Sequence, residues 1–247
     1  MVNKNMSLSF PDKTSAFLRK LEKDFYRNFA TTIVEIIKSL SISKSEIIER
    51  VKLNNEEILE KYRSQNRSVI VMTAHYGNWE WAAKRMGLIN GFNHFCFYRP
   101  QSFKSIDKLL LNSRKSTGVN MITEQHALKL RHYKNKPTII ATLGDHSPAT
   151  INKVMWLPFL HQESAFLSGP AKLAKIIDAV VLYAEIKPVR KGYYSINFEV
   201  ISENPHNESD SEIIGKYVHC LEQIIERKPQ FWLWSHNRWK RKPQKSN

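Results

Sequence analysis

The sequence predicts an α/β domain: a layered, mostly parallel (mixed) sheet flanked by helices. Three observations predict it. Short apolar runs rich in β-branched residues alternate with amphipathic stretches of helical period. Helical stretches, several of them ten or more residues long, separate successive runs, as parallel crossovers require. Finally, 42% of the 247 residues are hydrophobic and only 8 are Gly and 10 Pro, a composition for one sizeable globular core rather than a disordered or fibrous chain.

The elements follow in order. Over residues 14–40, Phe17, Leu21, Phe25, Phe29, Ile33, Ile36, Ile37 and Leu40 recur at helical spacing with Lys20, Lys23 and Arg27 between them, which predicts a long amphipathic helix. Asn55 opens a second helix through Ile58, Leu59 and Tyr62. The run 69–74 reads as a buried strand, followed by a helix at 79–88 and a strand at 92–98. A helix at 106–116 ends at Gly118, and a strand occupies 119–123. Helices near 127–133 and at 170–177, strands at 138–143, 180–186 and 194–201, and a closing helix at 211–226 complete the chain. The polar stretch 204–211 is too short for a linker between domains. One domain over 1–247 is expected, with an amphipathic segment at about 13–40 and a basic aromatic tail at about 229–247.

Lys and Arg number 38 against 23 Asp and Glu, a net charge of +15 that favours polyanions: nucleic acid, an anionic bilayer surface or an acidic carrier protein. Cys96 and Cys220 lack Cys-x-x-Cys spacing, so neither a disulfide framework nor a zinc site is suggested, and a reducing compartment is the simpler setting. The first twenty residues have no apolar h-region, and no run approaches the roughly 18 apolar residues of a membrane span. His94, His126, His132 and His219 show no paired ligand spacing, so no metal is expected.

The sharpest local feature is His75-Tyr76-Gly77-Asn78-Trp79-Glu80, between the strand ending at Ala74 and the following helix. Strand ends carry active sites in α/β sheets. A neutral histidine there accepts a proton, and Glu80 in the first helical turn is expected to orient it through its other ring nitrogen. Gly77 permits a sharp turn, and Asn78 is a good N-cap. The residues alone leave equally open that Asn78 and Glu80 merely cap a helix. No Gly-x-Ser-x-Gly elbow is present and neither cysteine is near, so the nucleophile is expected to be the substrate's own, attacking an activated acyl carbon directly.

The hexapeptide resembles the lauroyl/myristoyl acyltransferases of lipid A biosynthesis, within the lysophospholipid/glycerolipid acyltransferase superfamily defined by His, four residues, then Asp or Glu. Further landmarks run along nearly the whole chain: Asn5 with Ser9-Phe10-Pro11, Tyr98-Arg99-Pro100, Arg114 with Gly118, Gly144-Asp145, Gly169-Pro170-Ala171, and Trp232-Leu-Trp-Ser-His236 with Arg238-Trp239-Lys240. The resemblance implies a glycerolipid-acyltransferase-like fold, a catalytic pair His75 and Glu80, and supporting roles for Arg114 and Asp145. Taken alone, Arg114 reads as a solvated helix charge and Asp145 as a turn former. Arg99 at a strand end is a phosphate or carrier contact or a surface charge.

The resemblance further implies acyl carrier protein as thioester donor, a lipid A precursor or related lipid as acceptor, no cofactor, and a peripheral position at the cytoplasmic face of the bacterial inner membrane. Trp79, Trp232, Trp234, Arg238 and Lys240 are candidate contacts to an anionic membrane, with packed core as the alternative for the tryptophans. Family members usually carry Gln where this chain has His146 and Gly near His161 and Gln162, and normally have an apolar membrane-inserting segment ahead of the Asn5 landmark, so the chain reads as N-terminally short. The rival acceptors are other glycolipids or aminolipids. From other classes, a basic nucleic-acid-binding protein fits the charge but shows no reader motif, so no nucleic acid is expected; a non-catalytic membrane-surface protein fits as well.

Overall fold

The computed structural model describes residues 1–100, 103–151 and 154–243; the last four residues of the expected tail, 244–247, lie outside the described residues. The strands are β1 (Val51–Leu53), β2 (Val69–Thr73), β3 (Asn93–Phe97), β4 (Asn120–Ile122), β5 (Thr138–Leu143), β6 (Val154–Phe159), β7 (Gln162–Leu167), β8 (Val180–Arg190) and β9 (Tyr193–Ser202). The helices are α1 (Val2–Ser9), α2 (Ser15–Lys38), α3 (Lys44–Arg50), α4 (Glu57–Ser64), α5 (Trp79–Met86), α6 (Lys104–Lys115), α7 (Gly169–Ile177) and α8 (Asp210–Arg227).

Seven strands form one mixed sheet in the order β1-β9-β8-β2-β5-β3-β4, and β6 and β7 form a separate antiparallel hairpin. Within the sheet only β8 and β9 pair antiparallel among the described residues. Central β2 is apolar at every position from Val69 to Met72 because both its faces are covered. Ile70 and Met72 point into a core with α7, α8 and Trp232, Trp234 and Trp239. Val69 and Val71 point oppositely, toward Ile47, Leu59, Tyr62 and Trp81.

Parallel pairing of β2 with β5 sets Thr73 opposite Leu143. Residues 75 and 145, each two beyond that pair, therefore leave the sheet side by side. Gly144 lies under Tyr217, where an added Cβ would meet the ring at 2.9 Å; the phenol hydroxyl donates to the Thr73 carbonyl at 2.9 Å. The two loops are thus drawn together by backbone register and by α8.

Several elements depart from expectation. The helix expected at 127–133 is a 3-10 helix over Glu124–Tyr133. The amphipathic helix is present as α2, but its C-terminal half turns Thr32 and Glu35 inward and leaves Ile33, Val34 and Ile37 exposed, as is Leu40 in the turn that follows. Buried Glu35 accepts from Asn78 Nδ2 at 2.9 Å and from the Tyr194 hydroxyl at 2.5 Å, so polar partners outcompete the apolar stripe. The hairpin of β6 and β7 turns through Leu160 and His161, both at positive φ (49° and 61°), a conformation that glycine adopts without strain.

Candidate active site

His75 leaves the C-terminal end of β2. Its Nδ1 lies 2.8 Å from Asp145 Oδ1, and its backbone N–H donates to Asp145 Oδ2 at 3.1 Å. Trp232 Nε1 donates to the same Oδ2 at 2.9 Å. Asp145 is fully buried; burial opposes its charge, but the charge and hydrogen bond of His75, with the indole donor, hold the carboxyl well below the usual range. A carboxylate at Nδ1 fixes the proton there and leaves Nε2 as the acceptor. Nε2 has no protein partner among the described residues, and the His75 side chain is 15% exposed.

The loop is clamped from several sides. Gly77 has φ +60°, the left-handed region. Its N–H donates to Phe231 O at 3.0 Å, and Leu233 N–H donates to His75 O at 3.1 Å, so the C-terminal segment is laced to the turn. Asn78 caps α5 by accepting from Trp81 N–H at 2.9 Å. The Trp79 ring meets His75 edge-on with centroids 5.1 Å apart. Buried Asn5 donates to both Trp234 O and His236 O at 2.8 Å, which ties α1 to the same segment.

This base-and-orienter arrangement at a strand end is chemistry for deprotonating a substrate nucleophile. The sequence matches the family model for bacterial lipid A biosynthesis acyltransferases over residues 1–241. The chain belongs to that family. Comparison with curated proteins returned no match. Membership makes the protein an acyltransferase of lipid A biosynthesis, and so of lipopolysaccharide assembly.

Within this family member, the ring nitrogen expected to contact Glu80 is taken by Asp145. Both Glu80 oxygens instead receive Arg114, Nε at 2.8 Å and Nη2 at 2.6 Å. The reason is geometric: Glu80 sits in the first turn of α5 facing α6, and the guanidinium fork neutralises it there. Burial disfavours the Arg114 charge, but Glu80 outweighs that and raises its pKa. Arg114 is therefore no solvated surface charge. Close by, buried Lys84 donates to Ser39 O at 2.8 Å and Ser113 Oγ at 3.0 Å, joining the ends of α2 and α6; burial lowers its pKa against the pull of Glu80.

The expected membrane contacts need correction. Trp232, Trp234 and Arg238 are buried. Trp234 Nε1 donates to Pro229 O at 2.6 Å, and Arg238 donates to Ala165 O at 2.8 Å while its guanidinium stacks over Phe166 at 4.4 Å. Burial lowers the Arg238 pKa to about 10. These side chains are core because the last segment packs on the β6 and β7 hairpin, with Trp239 Nε1 donating to Ser164 Oγ at 2.8 Å. Trp79 is partly buried against His75, whereas Lys240 and, on the loop after β3, Arg99 are exposed.

Two further histidines line up with the base: the His146 ring stacks on His75, and the His236 ring stacks on His146. Burial, then the charge of His75, depresses His146 to about 3; burial first, against the pull of Asp145, brings His236 to about 4. His75, Asp145 and His146 offer ligand-type atoms within 4.8 Å of one another. Lone pairs of imidazole lie in the ring plane, and the two rings are parallel within 4°, so their lone pairs run side by side instead of converging on an ion.

A crevice lined by Phe25, Phe29, Gly77, Trp79, Phe231 and Trp232 adjoins the site, with a volume of about 10 Å³, room for a water rather than a chain. A larger cavity of about 330 Å³ lies elsewhere, between β9 and α8.

Proposed function

We propose that this acyltransferase moves a fatty acyl chain from the thioester of acyl carrier protein to a hydroxyl of a lipid A precursor, with His75 as general base. The observation that carries this reading is the Asp145 carboxylate on His75 Nδ1, with no protein partner on Nε2 among the described residues to compete for a proton. The acceptor O–H gives its proton to Nε2 as its oxygen bonds to the thioester carbonyl carbon. The tetrahedral adduct then breaks its C–S bond, and the departing thiolate takes the proton back from Nε2. No acyl-enzyme forms and no cofactor takes part.

Asp145 orients the ring and stabilises the transient imidazolium. Glu80 and Arg114 act as a pair that fastens α6 against the helix following the base, so the contribution of Glu80 passes through Arg114. An acyl chain beside Gly77 and Trp79 requires the crevice between α2 and residues 231–233 to widen. Arg99 and Lys240, exposed cations at the sheet end and the C-terminal segment, suit phosphate groups of donor or acceptor. A net charge of +15 favours an acidic carrier.

No helix among the described residues is long and apolar enough to cross a membrane. The exposed face of α2, where Val34 is 66% and Ile37 62% exposed, supports contact with a lipid surface, the cytoplasmic leaflet of the inner membrane, in place of the buried tryptophans. The test is mass spectrometry of products after incubation with acyl carrier proteins of several chain lengths and a tetra-acylated disaccharide. A mass increase of one acyl chain on the lipid is expected. Acyl transfer from coenzyme A alone, or to no lipid, contradicts the proposal.

A further inference from the structure

The transfer step uses His75 and Asp145, yet two more imidazoles are built into the same site. The rings of His75 and His146 lie parallel, 4° apart in tilt with centroids at 3.6 Å, and His146 and His236 repeat the arrangement at 9° and 3.8 Å. At these separations no water fits between the rings. Each distal ring is set by its surroundings. His236 Nε2 accepts from the Ser147 N–H at 3.0 Å, so that nitrogen bears no proton. His146 Nε2 is sealed from solvent without a partner among the described residues, which an imidazolium N–H would not tolerate. Among the described residues, the carboxylate of Asp145 and the cations Arg238 and Lys240 act on this stack. Both distal histidines sit on pinned backbone: His146 directly follows Asp145, and His236 is held through its carbonyl by Asn5.

The hydrogen bond at Nδ1 fixes one point of the His75 ring but not its plane. We propose that His146, backed by His236, is a positioning residue for His75: a flat slab that fixes the plane of the base, aims its Nε2 and keeps water off its face. This rests on the reading of His75 as the base. A neutral ring against the face also favours the imidazolium formed during transfer. A charged His146 would oppose it. Stacking needs a planar group, so planarity rather than bulk is the property that counts.

Replacing His146 in the full chain by Ala, Leu and Phe tests this, with circular dichroism to show that each variant folds. In His146→Ala, kcat is expected to fall about tenfold or more with KM for the lipid unchanged, as misaimed reacting groups require. His146→Phe, flat but without nitrogens, restores most of kcat, while His146→Leu, similar in bulk but not planar, does not. Should His146→Ala fail to fold, the comparison of Phe with Leu decides alone. Independently of turnover, NMR of the substrate-free protein shows the His75 ring protons shifted upfield by the stacked ring; the shift is retained with Phe and lost with Leu. Equal kcat in Phe and Leu variants, a loss carried by KM, or His75 shifts indifferent to the substitution would overturn the proposal. A wild-type protein without any acyl transfer would instead count against the functional reading, and the NMR comparison would still judge the stack.

Discussion

Replacing Asp145 by Asn changes one atom of the site and inverts its logic. The carboxylate accepts three hydrogen bonds, from His75 Nδ1 at 2.8 Å, His75 N–H at 3.1 Å and Trp232 Nε1 at 2.9 Å. An amide has one oxygen and one NH₂. With its oxygen at the Oδ2 position it still serves the backbone N–H and the indole, and its NH₂ points at His75 Nδ1. The opposite orientation aims NH₂ at two donors and leaves them buried and unmatched, at about 1–3 kcal/mol each, so the first orientation wins. Nδ1 must then accept, the ring proton moves to Nε2, and the base is lost. A wrong tautomer of this kind costs about 10⁴ in kcat where an aspartate orients a catalytic histidine, or about 5 kcal/mol of barrier. All three contacts persist, so the variant should fold like the wild type. The assay is acyl transfer followed by mass spectrometry, beside circular dichroism. Folded Asp145→Asn with kcat within about tenfold of wild type would refute the assigned tautomer.

Three other outcomes are expected. Arg114→Gln strands Glu80, whose side chain is 8% exposed, and should lower unfolding free energy in urea by about 3–5 kcal/mol; restoring much of it by adding Glu80→Gln supports the pairing, and a loss below about 1 kcal/mol contradicts it. His146 and His236 have folded pKa values near 3 and 4, below the ordinary value of about 6.5, so the unfolded chain binds more protons between those limits and stability falls as pH drops from about 6.5. For His146 the slope is at most about 1.4 kcal/mol per pH unit, measured as the difference between wild type and His146→Phe in denaturation from pH 7 to 5; a constant difference would contradict it. Asp145, also depressed, adds its own loss only at lower pH, as its carboxylate is protonated. His161→Gly removes a left-handed non-glycine residue and should raise stability by about 1 kcal/mol in thermal unfolding, with no gain as the contrary result.

Much of the fold was legible because each principal strand and helix carries its own periodicity. Runs such as 69–72 and 139–141 are apolar throughout, and α8 opens with the Ser209 and Glu212 capping box. What escaped was written in polar or mixed residues. Helix α1 has almost no amphipathic contrast, and the β6 and β7 hairpin lacks the glycine that marks a tight turn. At the site, His75 was legible from its place after a strand. Its partner was not, because Glu80 lies five residues away and Asp145 seventy, and only the pairing of β2 with β5 makes the distant residue the neighbour. The tail misled for a similar reason: aromatic and cationic residues suit a membrane surface and a buried cation–π core alike, and Arg238 over Phe159 and Phe166 is the second. The stack of His146 on His75 has no signal in one sequence, because nothing in the spacing of His75, His146 and His236 brings their rings together.

The central claim is that the free nitrogen of His75 takes the acceptor's proton. Its most direct measurement is single-turnover acyl transfer by His75→Ala beside the wild type, both shown folded by circular dichroism. Loss of product in the variant is the predicted result; appreciable transfer by folded His75→Ala would contradict the account.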